Sequence, residues 1–163
     1  MPEKVGIGQY RVLIGSGVLA AYGLGSCVGL FLYDPGVKVG GLAHIMLPGK
    51  KPEALPVSAS RYAENAFDIL LEEMIRKDAS ASRIGAILVG GAHMFRDVYG
   101  DAAQTIGRKN QDAVLELLRR RAVPMVARDL GGEIGRTMEA DVSTGNVTVR
   151  TFQSGTRELL WSR

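Results

Sequence analysis

Cysteine is almost absent from this sequence, which carries a single thiol among 163 residues. One thiol cannot close an internal disulfide, so a disulfide-stapled secreted fold is excluded and a cytoplasmic location is expected. Histidine is nearly as rare, with two residues. One cysteine and two histidines without the usual ligand spacing make a poor zinc site, so no metal is expected.

Long apolar runs and an excess of one charge are also missing. No stretch approaches the roughly 18 apolar residues that span a bilayer, which argues against membrane insertion. The 20 Lys and Arg residues nearly balance the 17 Asp and Glu residues. The densest basic stretches, RKDASASR and LLRRRA, lie at predicted helix ends, where cations complement the helix dipole, and no nucleic-acid motif accompanies them. We therefore expect no nucleic-acid partner.

The composition that remains is that of a globular protein, with 46% apolar and 23% charged residues. A chain of this length builds one core, so we predict a single domain over residues 1–163. The predicted strands are QYRVLI, VLAAYGL, CVGLFLYD, KVGGLAHIML, IGAILVGGA, VPMVARDLGG, the hairpin GRTMEADVSTGNVTVRTF and an edge strand at RELLW. Two amphipathic helices are predicted at SRYAENAFDILLEEMIRK, capped by Ser58 or Ser60, and at RKNQDAVLELLRRRA. This pattern predicts an α+β fold, a mixed sheet or sandwich with two main helices packed on one side.

The only cysteine lies in the glycine-rich string GLGSCVG, at Cys27. LGSC resembles a lipoprotein cleavage box, but Gly15, Gly17 and Gly23 interrupt the apolar stretch before it, and an apolar strand follows where a polar tether is usual. A dinucleotide-binding loop needs a helix directly after its glycines, and here a strand follows. Two interpretations stay open: a nucleophilic thiol and a small buried hydrophobe.

A predicted hairpin favours the nucleophile. If Pro35 and Gly36 form a two-residue turn, Phe31 pairs with Gly40 and Cys27 lies directly opposite His44, on the same face of the sheet. A longer loop would shift this register, because an L-Pro-Gly turn does not favour the hairpin twist.

Two further features are relevant to catalysis by a cysteine thiol. The glycine-rich segment before Cys27 exposes backbone N–H groups where an oxyanion would form. The second histidine, His93 in VGGAHMF, also follows a strand and is a rival candidate for the base.

Five separated motifs, GLGSCVG, DPGVKVGGLAHIMLP, GGAHMF, IGRKN and DLGGEIGRTMEADVSTG, resemble the CheD family of chemoreceptor glutamine deamidases. The resemblance runs from about Gly6 to the C-terminus. It implies a cysteine-dependent protein-glutamine glutaminase that converts glutamine side chains on chemoreceptor cytoplasmic helices to glutamate, without a cofactor. It also implies that Cys27 is the nucleophile, that His44 is the base, and that a CheC-type phosphatase is a partner.

One position departs from the family pattern. The family commonly has a threonine that orients the histidine six residues before the cysteine, and this chain has Ala21 there. A methyl group cannot accept the imidazole N–H, so a backbone carbonyl or another serine would have to do so. If nothing did, Ala21→Thr would raise the rate, and a non-catalytic or weakly catalytic adaptor that binds receptors and the phosphatase would be the alternative function.

The mechanism expected from these residues is a thiolate attack on the amide carbon. His44 removes the thiol proton, so that the resting pair is partly thiolate and imidazolium. The N–H of Cys27, with that of Ser26 or Gly25, is expected to stabilise the oxyanion.

Overall fold

The computed structural model describes residues 1–94 and 105–162, which form ten strands and two α-helices. A short 3-10 helix at Ala59–Arg61 precedes the first α-helix. The strands are β1 (Glu3–Lys4), β2 (Tyr10–Ile14), β3 (Val18–Leu24), β4 (Val28–Asp34), β5 (Val39–Ile45), β6 (Gly85–Gly90), β7 (Met125–Leu130), β8 (Arg136–Asp141), β9 (Val147–Thr151) and β10 (Gly155–Leu159). The helices are α1 (Ala63–Arg76) and α2 (Ile106–Arg120).

The strands form two five-stranded mixed sheets that face each other. Sheet I has the order β1-β3-β8-β9-β10, and sheet II has the order β2-β5-β4-β6-β7. Apolar side chains from both sheets form one buried cluster between them, and Phe31, Leu42 and Met138 belong to it. The predicted edge strand at the C-terminus is confirmed as β10.

Both helices pack on the outer face of sheet II, as predicted. A second buried cluster joins Phe67 and Leu70 of α1 and Val114 and Leu117 of α2 to the side chains of β4, β5 and β6 that point away from sheet I. The α+β sandwich with helices on one side is therefore confirmed. Among the described residues, no helix is both long enough and apolar enough to cross a membrane.

The predicted cap of α1 is wrong. Tyr62 occupies the N-cap position and makes no side-chain cap hydrogen bond. The Ser60 hydroxyl donates instead to the Gly8 carbonyl, far away in sequence. A buried backbone carbonyl needs a donor, and this need outweighs the local capping preference of serine.

The predicted register of the β4–β5 hairpin is also wrong. Asp34 pairs with Val39, so the loop between them has four residues, and Phe31 pairs with Leu42 instead of Gly40. Lys38 takes a left-handed backbone conformation with φ of 52°, and the Asp34 carboxylate accepts the Gly36 N–H at 2.8 Å. The longer loop supplies the positive φ that an L-Pro-Gly turn cannot place at its first position.

Candidate active site

The register places His44 directly opposite Gly29, not opposite Cys27. Because the shift moves the partner by two residues, and side chains alternate with a period of two, Cys27 stays on the same face as His44 in a diagonal position. Diagonal neighbours lie about 7–8 Å apart, within reach of long side chains. Gly29 carries no side chain, and the place of its missing Cβ is taken by the side chains of Met138 and Leu24.

Cys27 lies just before β4, where the chain crosses from sheet I to sheet II. Its side chain belongs to the cluster between the sheets and is 8% exposed. This burial raises the pKa of the thiol. The resting chain therefore holds a neutral thiol close to the surface.

His44 is 1% exposed and lies near the end of β5. Its Nδ1 lies 3.0 Å from the Val5 carbonyl oxygen, and because a carbonyl only accepts, Nδ1 carries the hydrogen. Nε2 is then the lone-pair nitrogen of the neutral ring, and it has no hydrogen-bond partner among the described residues. In this tautomer Nε2 is the ring nitrogen that can accept a proton.

The protonation state differs from the expected thiolate–imidazolium pair. Burial lowers the pKa of His44, although the hydrogen bond to Val5 acts in the opposite direction. Since burial also raises the pKa of Cys27, both shifts disfavour charge separation at rest. The directions of both pKa shifts favour a neutral thiol beside a neutral imidazole.

The N-terminal segment supplies the acceptor for the imidazole. The Val5 N–H donates to the Ala20 carbonyl at 2.7 Å, in continuation of the parallel pairing of β1 with β3. The chain then turns back so that Gly8 donates to the His44 carbonyl at 2.9 Å and Gln9 accepts the His44 N–H at 3.0 Å. Backbone and ring of His44 are thus held by the same segment.

Ala21 is fully buried next to this segment, and it pairs with Met138 of β8. Its methyl group offers no acceptor, as expected, and the Val5 carbonyl already occupies Nδ1. The neighbouring Tyr22 is 46% exposed, as expected for the opposite face of the strand. The missing threonine therefore leaves no unpartnered imidazole N–H.

The backbone around the nucleophile is held by its carbonyl groups. The Gly25 carbonyl accepts from Ala92 N–H and the Cys27 carbonyl from Gly91 N–H, both at 2.8 Å. Within residues 1–94 and 105–162, no group accepts a hydrogen bond from the N–H of Ser26 or Cys27. These N–H groups are the candidate donors to a substrate oxygen.

The carbonyl between them, that of Ser26, is held by a side chain. Asn110 of α2 is fully buried, and its Nδ2 donates to the Ser26 carbonyl at 2.9 Å and to the Met46 carbonyl at 3.0 Å. Both acceptors are carbonyls, so the amide must present its nitrogen to them.

His93, the rival base, lies beyond the end of β6 and is 8% exposed. Its backbone N–H donates to the Gly132 carbonyl at 2.8 Å. Its ring Nε2 is buried without a partner in the described part of the chain. The end of the GGAHMF motif, at position 95, lies outside the described residues.

Among the described residues there is no group of three His, Cys, Asp or Glu side chains that could hold a metal ion. The site is built from one thiol, one imidazole and backbone groups.

Sequence reasoning missed Val5 and Asn110. Val5 acts through its carbonyl, which every residue carries, so no residue type could reveal it. Asn110 had a signal: it stands on the buried stripe of α2 with Val114 and Leu117, where an amide is out of place unless it is hydrogen-bonded.

Comparison with known proteins agrees with the motifs. A family model described as CheD chemotactic sensory transduction matches residues 46–151. A protein of Thermococcus kodakarensis named "Probable chemoreceptor glutamine deamidase CheD" is 41% identical over 155 residues, which cover 95% of this chain and 96% of the relative. A protein of Geobacter metallireducens named "Probable chemoreceptor glutamine deamidase CheD 2" is 40% identical, over 96% of this chain and 97% of the relative. A protein of Pyrococcus horikoshii with the same name as the Thermococcus protein is 42% identical, over 93% of each chain.

Proposed function

Because the chain belongs to the CheD family, we propose that it is a chemoreceptor glutamine deamidase that works through Cys27 and His44. The substrate is the side-chain amide of particular glutamines on receptor cytoplasmic helices, and the products are glutamate and ammonia. The hydrogen bonding of His44 carries the proposal: Nδ1 donates to the Val5 carbonyl, so Nε2 holds the lone pair that can take a thiol proton. Strand alternation puts Cys27 and His44 on the same face of the sheet.

The first step joins sulfur to the amide carbon. The thiol proton passes to Nε2 of His44 as Sγ attacks, since a thiol is a weak nucleophile until it is deprotonated. The carbonyl π electrons move to oxygen and form a tetrahedral oxyanion. In the proposed mechanism the N–H groups of Cys27 and of Ser26 or Gly25 donate to this oxygen.

The second step breaks the carbon–nitrogen bond. The imidazolium gives its proton to the departing nitrogen, ammonia leaves, and a thioester remains on Cys27. His44 then takes a proton from water, the resulting hydroxide attacks the thioester, and the sulfur leaves and is reprotonated. Glutamate is released, and neither an oxidant nor a cofactor enters the balance.

Burial of the thiol supports a side chain as the substrate. With Cys27 only 8% exposed, the group that is attacked must reach inward. The glutamine amide stands at the end of two methylene groups and is slender enough to do so, whereas a backbone amide in a helix is enclosed by its own turn. A glutamine on the exposed face of a receptor helix fits this access.

The decisive experiment incubates receptor cytoplasmic fragments with the full chain and detects the change from glutamine to glutamate by mass spectrometry. Cys27→Ser and His44→Ala should abolish the conversion while the fold is retained by circular dichroism, and His93→Ala should leave it intact. Loss of activity in His93→Ala together with retained activity in His44→Ala would reverse the assignment of the base.

The adaptor alternative was based on an imidazole without an acceptor, whereas the Val5 carbonyl accepts from Nδ1 of His44. Receptor fragments that bind the chain and keep every glutamine would restore it. Binding to a CheC-type phosphatase stays a prediction, which a pull-down with the purified phosphatase tests.

A further inference from the structure

The geometry points to Asn110 as a positioning residue that orients the oxyanion-binding N–H of Cys27. The inference rests on the proposed function, in which that N–H stabilises the tetrahedral intermediate. Asn110 makes no hydrogen bond to the thiol or to the imidazole; its Nδ2 donates to two backbone carbonyls. It acts through the peptide unit that joins Ser26 to Cys27.

A peptide unit is planar, and in the trans form its C=O and N–H point in opposite directions. No described peptide bond in this chain is cis. Because Nδ2 of Asn110 holds the Ser26 carbonyl at 2.9 Å, it sets the direction in which the Cys27 N–H points. Without this hydrogen bond, the unit could rotate and present its carbonyl oxygen to the substrate, where it would repel an oxyanion.

The neighbouring peptide units show why this one needs a side chain. The carbonyls of Gly25 and Cys27 are held by backbone N–H groups of residues 91 and 92. The Ser26 carbonyl points toward α2, and it accepts from the Asn110 side chain and not from the first-turn N–H groups of that helix. A side-chain amide on the helix therefore provides the donor.

Helix α2 is pressed against this region, so the amide is held firmly. A Cβ on Gly107, one turn before Asn110, would overlap the Ala92 carbonyl oxygen. The second hydrogen of Nδ2 goes to the Met46 carbonyl at 3.0 Å, two residues beyond His44. One amide thus ties the nucleophile segment to the end of the strand that carries the base.

Stability alone does not explain an asparagine here. Its Oδ1 is buried with no partner among the described residues, and a buried, unsatisfied oxygen costs free energy. A residue kept despite this cost on an otherwise apolar helix face is expected to serve the site.

Two reactions of Cys27 distinguish an effect on oxyanion stabilisation from an effect on the reactivity of the thiol. Acylation by p-nitrophenyl acetate passes through a tetrahedral oxyanion, whereas alkylation by iodoacetamide displaces iodide and forms none. Since Cys27 is the only cysteine, both rates report on one sulfur, and a Cys27→Ala chain gives the background. Asn110→Ala should lower the acylation rate and the deamidation kcat by about 10- to 100-fold and change the alkylation rate by less than about threefold.

The matched control is Gln111→Ala, next on the same helix, which removes the hydrogen bond from Nε2 to the Gly91 carbonyl. It should lose similar stability and keep the ratio of acylation to alkylation. If Asn110→Ala does not fold, Asn110→Ser, which retains one donor, replaces it and should lower acylation selectively. Equal losses in acylation and alkylation, or an unchanged acylation rate, would overturn the inference. A wild-type chain that acylates but leaves receptor glutamines intact would refute the proposed substrate, and selective loss of acylation in Asn110→Ala would still support the role of Asn110.

Discussion

Deletion of residues 1–5 tests whether a backbone carbonyl replaces the family threonine. The deletion removes the Val5 carbonyl that accepts the hydrogen of His44 Nδ1 at 3.0 Å. The hydrogen bonds of the His44 backbone with Gly8 and Gln9 remain. The backbone of His44 is therefore still held while its ring loses its partner, and the deletion also removes β1 and its pairing with β3.

The size of the effect follows from one neutral hydrogen bond, which is worth about 0.5–1.5 kcal/mol. If this energy selects the productive tautomer and ring orientation, the deamidation kcat should fall roughly two- to tenfold. KM should change little, because Val5 does not reach the substrate in the proposed mechanism. NMR of the imidazole nitrogens should show one tautomer in the full chain and a mixture after the deletion.

The control variant is Val5→Ala, which keeps the carbonyl and loses side-chain packing. Val5 is 1% exposed, so loss of two methyl groups should lower the free energy of unfolding by about 1.5–3 kcal/mol. Its kcat should match that of the unmodified chain below the melting temperature. The reasoning is refuted if the shortened chain keeps full kcat, or if Val5→Ala loses as much kcat as the deletion does.

Three further predictions concern the same fold. Ala21→Thr should not raise kcat, because Nδ1 of His44 already has its acceptor, and a severalfold gain in kcat would contradict the role of Val5. The variant should lower the free energy of unfolding by about 1–3 kcal/mol in urea titrations, because Ala21 is fully buried and leaves no room for extra atoms. The pH profile of kcat/KM should be broad, because the proposed reaction requires both a neutral His44 and a neutral Cys27 thiol. The acid limb should lie below pH 6.5 and the alkaline limb above pH 9.0, since the pKa of His44 is lowered and that of Cys27 is raised from these values. A profile that rises to its maximum only above pH 9.0 would favour attack by a pre-formed thiolate. Asp34→Ala should lower the free energy of unfolding by about 2–4 kcal/mol, because the buried carboxylate accepts hydrogen bonds from Arg83, Ser80 and Gly36. The kcat should change less than about twofold, and equal stability of the variant and the unmodified chain at pH 7 would refute this prediction.

The pH dependence of the Asp34 contribution has a definite sign. Burial raises the pKa of this carboxyl, but the hydrogen bonds from Arg83 and the two backbone N–H groups outweigh it, so the pKa is lowered from 3.8. The contribution is therefore fully present above pH 3.8 and is lost as the pH falls through the lower pKa of the folded state. The stability difference between the unmodified chain and Asp34→Ala should shrink in that range.

The sequence determined most of the secondary structure, because hydrophobic periodicity is written in residue types. The strand predicted at VLAAYGL is β3, and both helices lie where their apolar stripes indicated. It also indicated the candidate reacting groups, because rarity and strand alternation drew attention to Cys27 and His44 and the family resemblance implied their roles. The two-residue strand β1 escaped detection, since two residues are too few to show a period.

Only the tertiary structure decided how these groups are held. The register of the β4–β5 hairpin depends on the backbone dihedral angles of its loop. Pro35 and Gly36 lie in a four-residue loop instead of a two-residue turn, so His44 pairs with Gly29 and not with Cys27. The acceptor for Nδ1 is a carbonyl 39 residues away, and the donor to the Ser26 carbonyl is an amide 84 residues away. The directions of the pKa shifts of Cys27 and His44 follow from burial, which removes water from the charged form of each group. Burial is a property of the packed sandwich, not of the residue types.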